Sequence, residues 1–346
     1  MAEDNEKISE EETMATKNLP GDLIEFILSR LPVKYLLRFR AAVKLDLPFN
    51  SPDYTTEVVG SCNGLLCISS YGLTWYHKDD IFLWNPSTRR YKKLPFTPIE
   101  CPIQFRIAHL IGYGFGYDPI TDDYKLVRVV QSYGRDDSSW HSEVKVYSLS
   151  TNSWRRIRNM PFHLGTRLIG VHANSALHWV ADRFKRPFSS PTIVVSFDLK
   201  DEEYREVPLP DFVDLKFCMT IGFLGGQLVL CNFLGVHFEV WLLKDYGVRD
   251  SWTKQFLIEG QSSMRSLKFV RPICYSKNGE VILKKISNAL VLCDPCSRRA
   301  RNFRILSVSD MVEAEFYVGS LVPLVSKMKL SEEKEQEATN RKRKRI

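Results

Sequence analysis

Four groups of residues in this chain have types or spacings that could do chemistry. Gly112-Tyr-Gly-Phe-Gly116 has the glycine density of a phosphate-cradling loop. Such a loop needs a strand before it and a helix N-terminus after it, because the helix's free N–H groups hold the anion. The following Tyr124-Lys-Leu-Val-Arg-Val-Val130 reads as a strand, so the phosphate reading fails. Asp118-Pro-Ile-Thr-Asp122-Asp123 has the acid density of a calcium loop but lacks its glycine and its closing glutamate. It reads better as a tight turn whose aspartate accepts from nearby backbone. Cys293-Asp-Pro-Cys296 is a lone CxxC. Structural zinc needs four ligands and a redox dithiol needs a helix after its first cysteine, and neither context is present. The seven histidines, His77, His109, His141, His163, His172, His178 and His237, make no HxxxH or HExxH pair, and no GxSxG elbow occurs. His178 alternates with Leu177 and Trp179 and is expected to be a half-exposed strand residue. The expectation is a chain without catalysis, cofactor or metal.

The elements around these residues repeat. Ile81-Phe-Leu-Trp-Asn-Pro-Ser-Thr-Arg-Arg-Tyr-Lys-Lys-Leu-Pro95 reads as a strand, a polar turn and a returning strand. The design recurs at Val144–Ile157 and Val195–Pro208, where the pairs Trp84/Tyr91, Tyr147/Trp154 and Phe197/Tyr204 keep an offset of seven residues. A fourth copy, Val240-Trp241 to Trp252, carries four extra residues at the turn; a fifth, Leu292-Cys293 to Ala300, keeps the offset without the aromatics. The steps between copies are 63, 50, 44 and 52 residues, the period of β-propeller blades. Before each copy lies another apolar strand: Asn63–Ile68, Gly114–Tyr117, Asn174–Trp179, Gly226–Cys231 and Asn278–Leu283. One such sheet cannot bury both faces, so neighbours must stack around an axis. Two aromatics on opposite arms of a hairpin pin its register, and they are expected in blade cores. The reading is five repeat units, with six blades open if residues 96–113 or 205–220 supply further strands. The alternating stretch Ala314–Leu324 is expected to return as a strand to the first blade and close the ring.

Composition bounds the rest. With 346 residues, 44% hydrophobic and 26% charged, the chain has room for one large β-domain and something small. No window reaches the run of about 18 apolar residues that a membrane span needs. The first 18 residues carry six acids and two lysines and no signal-peptide core, so the expected location is the nucleus or the cytoplasm, with reduced cysteines. The net charge of +7 divides into −4 for residues 1–18, +4 for 327–346 and +7 between. The cations sit at turns such as Arg89-Arg90, Arg155-Arg156 and Arg298-Arg299, which argues for solvated loops over nucleic-acid binding. Residues 1–17 are expected to be disordered. Leu23, Ile24, Ile27, Leu28 and Leu31 then make one apolar helix face, opened by Asp22 and stopped by Pro32, and a second short helix is expected over Val33–Val43. Two such helices form no core alone and must pack on the propeller or on a partner.

The run from Leu19-Pro20 through Leu31-Pro-Val-Lys34 to Leu36-Leu-Arg-Phe-Arg40 resembles the first half of an F-box. The chain beyond it resembles the F-box-associated domain of the plant F-box/kelch-like family. The matching residues include Val58-Val-Gly-Ser-Cys-Asn-Gly-Leu-Leu-Cys67, Leu83-Trp-Asn-Pro-Ser-Thr-Arg89, Gly114-Phe-Gly-Tyr-Asp-Pro119 and Ala176-Leu-His-Trp179. The resemblance spans residues 19 to 322. It implies a partial F-box over 18–44, a mainly β, kelch-like propeller over 45–325 and a basic tail over 326–346. The sequence departs from the family at Ala41-Ala-Val-Lys44, which runs straight into Leu45-Asp-Leu-Pro-Phe49 where the third F-box helix and a linker are expected.

The resemblance further implies docking on a Skp-type adaptor, and through it a cullin, with a client protein captured by the β-domain. The adaptor-facing residues would be Leu19, Pro20, Leu23, Ile24, Ile27, Leu28, Leu31, Pro32, Leu36, Leu37 and Phe39. The alternative is an interaction scaffold outside any ligase, its F-box disabled by the shortening. For client contact the expected loops are Ser132–Ser142, with an exposed Trp140, and Asp182–Pro191, with Arg183 and Arg186. The run Arg341, Lys342, Arg343, Lys344, Arg345 fits a nuclear localisation signal or a solvated tail.

Overall fold

The structure, a computed structural model, describes residues 54–72, 80–105, 108–134, 140–164, 168–183, 192–210, 218–234, 237–259, 270–276, 278–285, 290–303 and 315–324. These form five antiparallel sheets, each of four strands taken in chain order. Blade 1 holds β1 (Tyr54–Cys62), β2 (Leu65–Gly72), β3 (Asp80–Asn85) and β4 (Arg90–Lys93). Blade 2 holds β5 (Ala108–Asp118), β6 (Asp123–Tyr133), β7 (Trp140–Ser148) and β8 (Ser153–Arg156). Blade 3 holds β9 (Val171–Ala173), β10 (Ala176–Asp182), β11 (Thr192–Asp198) and β12 (Tyr204–Val207). Blade 4 holds β13 (Cys218–Leu224), β14 (Gln227–Phe233), β15 (His237–Leu243) and β16 (Trp252–Glu259). Blade 5 holds β17 (Val270–Tyr275), β18 (Val281–Lys285), β19 (Leu290–Asp294) and β20 (Arg299–Phe303). The first strands touch in succession, β1 on β5, β5 on β9, β9 on β13 and β13 on β17, which sets the blades around a common axis. Residues 96–113 and 205–220 supply β5, β12 and the start of β13 to these sheets, so the described residues make a five-bladed propeller.

The seven-residue offset sets the expected cross-strand pairs, but Tyr91 is exposed and Trp154 and Tyr204 are half-buried, so the second aromatics do not lie in blade cores as expected. Trp84 stands opposite Tyr91, Tyr147 opposite Trp154, Phe197 opposite Tyr204 and Cys293 opposite Ala300. The turn chemistry explains why the offset holds. In all four of these turns the opening residue caps with a side-chain oxygen: Asn85 Oδ1 accepts from the Ser87 N–H at 3.0 Å, Asp198 Oδ1 from Lys200 at 2.8 Å, Asp294 Oδ1 from Cys296 at 2.9 Å, and Ser148 Oγ from Thr151 at 3.3 Å. The residue closing the turn is left-handed, with φ of 56° at Arg89, 53° at Asn152, 58° at Glu202 and 54° at Arg298. A capped turn followed by one left-handed residue matches the strand twist and returns the chain in register. The fourth copy departs from the expectation. Its turn spans 244–251, and a bulge between Val240 and Trp241 places Trp241 opposite Lys254 and Leu243 opposite Trp252, so the two tryptophans do not pair.

The second aromatic of the hairpin also has a polar task. Trp154 Nε1 donates to the Pro95 carbonyl and Trp252 Nε1 to the Pro208 carbonyl, both at 2.8 Å, while the Tyr204 hydroxyl lies 3.5 Å from the Arg158 carbonyl. Each acceptor lies on the linker arriving from the preceding blade. The outer strands of blades 2, 3 and 4 are thus tied to their incoming linkers, and each well-formed bond contributes about 1 kcal/mol.

The glycines of β5 are explained by packing. Gly112, Gly114 and Gly116 share one face of the strand. A Cβ on Gly114 would lie 2.6 Å from Trp179 Cζ2, and one on Gly170 would lie 2.6 Å from Trp179 Cε2. The fully buried Trp179 ring is seated between these two backbones. Gly114–Tyr117, expected as an apolar strand before its hairpin, belongs to the innermost strand of the blade, and β6 lies between it and the hairpin's return. The glycine-rich sequence resembled a turn-opened strand, but its glycines answer to the neighbouring blade.

Apolar clusters fill the spaces between blades 1 and 2, 2 and 3, 3 and 4, and 4 and 5, with alternate residues of each central strand facing opposite neighbours. Residues 315–324 join no sheet, contrary to the expected closing strand. They cross the ends of the β1–β2 and β3–β4 turns instead of running along a strand edge, and Pro323 has no N–H for a ladder.

Candidate interaction surface

Up-and-down topology sorts the connections by end. At one end lie the short turns, 63–64, 119–122, 174–175 and 225–226 among them. At the other lie the second-to-third strand connections, up to the nine residues 183–191, and the linkers between blades, including 94–107 and 157–170 of fourteen residues each. Tyr54 begins β1 at this second end, so the chain before the propeller reaches it there.

Trp140 and Arg183 both stand at the long-connection end, on adjacent blades. Trp140 is the first residue of β7, opposite Tyr133, and half-buried; the expected exposed loop position is corrected. The aromatic pair extends the β6–β7 hairpin, which shortens its connection to 134–139 and places Ser132 and Ser142 in buried strand positions. The Trp140 ring meets His163 edge-on at 5.9 Å, and the Tyr133 hydroxyl lies 2.7 Å from His163 Nε2. Burial pushes the Tyr133 phenol up to about 12, so it stays protonated. His163 and Asp182 exchange backbone hydrogen bonds of 2.9 and 2.7 Å, locking the 157–170 linker to the end of β10. Gln131 fixes the same linker by donating to the Phe162 carbonyl at 2.7 Å and accepting from the Leu164 N–H at 3.0 Å. Arg183 follows Asp182, exposed, and pairs with Glu206 at 2.6 Å. The result is one corner built from Tyr133, Trp140, His163, Asp182 and Arg183. No sequence spacing links His163 to Asp182, and the linker contact that joins them is visible only in three dimensions.

Asp118, Cys62, His172 and His178 find their partners within the protein. Asp118 Oδ1 accepts from the Ile120 N–H at 3.0 Å and Oδ2 from the Thr121 hydroxyl at 2.6 Å, the tight turn expected from its sequence. Cys293 is buried in β19, its thiol pushed up to about 12, and Cys296 is exposed in the following turn. Cys62 Sγ lies 3.6 Å from His172 Nδ1, a pair that invites a nucleophilic reading. Its electrostatics oppose one: burial pushes the Cys62 thiol up to about 12 and holds the imidazole below its usual range. With His172 Nε2 donating to the Tyr117 carbonyl at 3.2 Å, the thiol donates to Nδ1 and both groups are neutral. His178 is fully buried, not half-exposed. Its Nδ1 donates to the Val171 carbonyl at 3.2 Å and its Nε2 accepts from the Tyr246 hydroxyl at 2.7 Å. The four inserted residues of the fourth turn explain this burial, since they carry Tyr246 over blade 3.

On blade 2, Arg128 and Lys145 stand directly opposite each other and both are buried. Like charges so placed repel, and the surroundings answer them. Glu143 pairs with Arg128 at 3.1 Å and Glu100 with Lys145 at 2.6 Å. Arg128 also donates to the carbonyls of Thr97 and Pro98 at 2.8 and 2.9 Å. The pair therefore anchors the 94–107 linker. Among the described residues no three His, Cys, Asp or Glu side chains gather as a metal site needs, and no helix is long and apolar enough to cross a membrane.

Leu19, Pro20, Leu23, Ile24, Ile27, Leu28, Leu31, Pro32, Leu36, Leu37 and Phe39 lie outside the described residues, as do Arg186 and the Arg341–Arg345 run.

Comparison with known proteins adds three findings. The family described as "F-box associated beta propeller domain" matches residues 33–323. In Arabidopsis thaliana, F-box protein CPR1 is 38% identical over 288 residues, covering 77% of this chain and 68% of that protein. F-box/kelch-repeat protein At3g23880 is 30% identical over 381 residues, covering 90% of this chain and 97% of that protein. Of solved structures, a puromycin hydrolase is similar at a TM-score of 0.40 and 10% identity over 71% of this chain and 38% of that one.

Proposed function

Because the chain belongs to the F-box-associated β-propeller family, we propose that it is the substrate-recognition subunit of an SCF (cullin–RING) ubiquitin ligase. In this reading it performs no catalysis. Residues 18–44 dock on a Skp-type adaptor, which joins the chain to a cullin, and the propeller over 45–325 holds a client protein. The work is tethering: client and charged ubiquitin carrier share one complex, so the effective concentration of one at the other rises. The observation that carries the reading is the family match over most of the chain together with relatives that are themselves named F-box proteins. The long-connection end supports a place for the client. It gathers Trp140 and Arg183 into one corner, loops on a rigid scaffold carry recognition, and the chain enters β1 at the same end. Nucleus and cytoplasm are the compartments this reading assigns, with Arg341–Arg345 as the import signal.

A second reading has its own observation. Ala41–Lys44 runs directly into Leu45, leaving no room for a third F-box helix, and a disabled box would leave a scaffold that binds clients without delivering them. One experiment separates the two. The purified chain is tested for capture by a Skp-type adaptor beside the variant Leu28→Asp, Leu31→Asp, with circular dichroism to show that both are folded. Capture of the natural chain and loss in the variant is expected. No capture of the folded natural chain would refute the ligase reading and leave the scaffold.

A further inference from the structure

We propose that residues 315–324 form a clasp that holds the propeller ring closed in place of a shared strand. Among the described residues every sheet is built from four consecutive strands, and none of these strands belongs to both the first and the last blade. Such a ring has a seam where chain connectivity gives nothing, and its ends must be held by other contacts.

The segment makes those contacts in order. Glu315 forms an ion pair with Arg271 on β17 of blade 5. Tyr317, like Val58, packs against the cluster of Leu66, Ile68 and Trp84 on the face of blade 1 turned away from blade 2. The chain then crosses the turn end of blade 1 and enters the far side, where Val322 and Leu324 join the cluster between blades 1 and 2. A ten-residue segment thus touches blade 5, both faces of blade 1 and the next interface.

Two residues of blade 1 meet this crossing directly, and one of them, Asn85, has no counterpart of its type in the other hairpins that keep the offset. Asn85 is fully buried and donates both amide hydrogens to the clasp, to the Ser320 carbonyl at 2.9 Å and the Val322 carbonyl at 3.0 Å. Its oxygen is already used by its own turn. At the same place in the other three hairpins that keep the offset stand Ser148, Asp198 and Asp294, which can cap a turn but bring no amide donors. Gly64 is the second case. Its φ of 81° favours glycine, and a Cβ there would lie 2.6 Å from the Val318 carbonyl oxygen. Glycine also stands at this turn position in blades 4 and 5, at Gly226 and Gly279, where a Cβ would meet nothing within 4 Å, while Ser175 occupies it in blade 3 at a φ of 59°. The turn favours glycine on its own, and at Gly64 the crossing clasp excludes a side chain as well.

The test uses the full chain, with Asn85→Asp as the main variant because it keeps the turn-capping oxygen and removes both donors. Asp294→Asn serves as the control at a turn that carries no clasp. Hydrogen exchange resolved by blade is the readout, beside a chain ending at residue 314. In Asn85→Asp, and in the shortened chain, protection of β1–β4 and β17–β20 is expected to fall by about tenfold or more, with blades 2 to 4 much less affected. The control is expected to match the natural chain. If the shortened chain does not fold, the Asn85→Asp exchange pattern decides alone. Unchanged protection in blades 1 and 5, or an equal loss in all five blades, would overturn the proposal.

Discussion

Replacing Gly114 by alanine tests the packing that closes the propeller's centre. The added methyl would sit 2.6 Å from Trp179 Cζ2 and 2.9 Å from Leu177 Cδ1, both on fully buried side chains of the neighbouring blade. Neither can swing aside, since Trp179 is also seated on Gly170. Overpacking of this kind costs about 1–3 kcal/mol, and the rigid surroundings argue for the upper half of that range. Trp179→Phe removes the clashing edge of the indole and costs about 1–3 kcal/mol alone through the space it leaves. The two changes occupy the same few cubic ångströms, so the double variant should be more stable than the sum of the singles by about 1 kcal/mol or more. Urea unfolding of all four chains, followed by tryptophan fluorescence and circular dichroism, reads these values. A neutral Gly114→Ala, or strictly additive effects, would refute the claim that these glycines exist to seat the indole.

Further outcomes rest on buried groups. Burial depresses His178 to about 4, below its ordinary 6.5, so the unfolded chain takes up the proton first as pH falls. Its contribution is full above about pH 6.5 and is lost down to about pH 4, which makes the fold about 2 kcal/mol less stable at pH 5 than at pH 7. His178→Gln should flatten that part of the urea-midpoint profile, and an unchanged slope would contradict the assignment. Lys145→Met leaves Glu143 still paired with Arg128 but takes one donor from the Pro98 carbonyl and the partner from Glu100, at a cost of about 1–2 kcal/mol by calorimetry. Trp252→Phe keeps most of the ring but loses the bond to the Pro208 carbonyl, and about 1 kcal/mol of stability should go with it in urea unfolding.

Local chemistry made much of this architecture legible in the chain. A capped turn closed by one left-handed residue fixes where a hairpin reverses, so an aromatic seven residues from another had to stand opposite it, as Tyr147 and Trp154 do. The spacing of the copies then implied blades, and the run from Val58 to Cys67 with the Leu83–Arg89 phrase pointed to the family. Failures came where the deciding neighbour is distant in sequence. Gly114–Tyr117 read as a strand, but why its face carries Gly112, Gly114 and Gly116 could not be read, because their reason lies at Leu164, Trp179 and His172 of other elements. His178 reads as half-exposed from its alternation, until an inserted turn 68 residues away lays Tyr246 over it.

The sequence by itself determined the hairpin registers of four of the five copies, the repeated blade and the family, because each depends on bonds and packing within a few residues of one turn. Only the tertiary structure decided that the ring has five blades, that Trp140 and Arg183 share a corner through His163 and Asp182, and that residues 315–324 cross blade 1 without entering its sheet. Those features depend on which surfaces meet when whole blades stack, and stacking is set by shape and unsatisfied polar groups over long separations. Asn85 shows both halves. Its oxygen caps a turn that any reader of Asn-Pro-Ser-Thr would expect, while its amide group waits for a chain more than two hundred residues away.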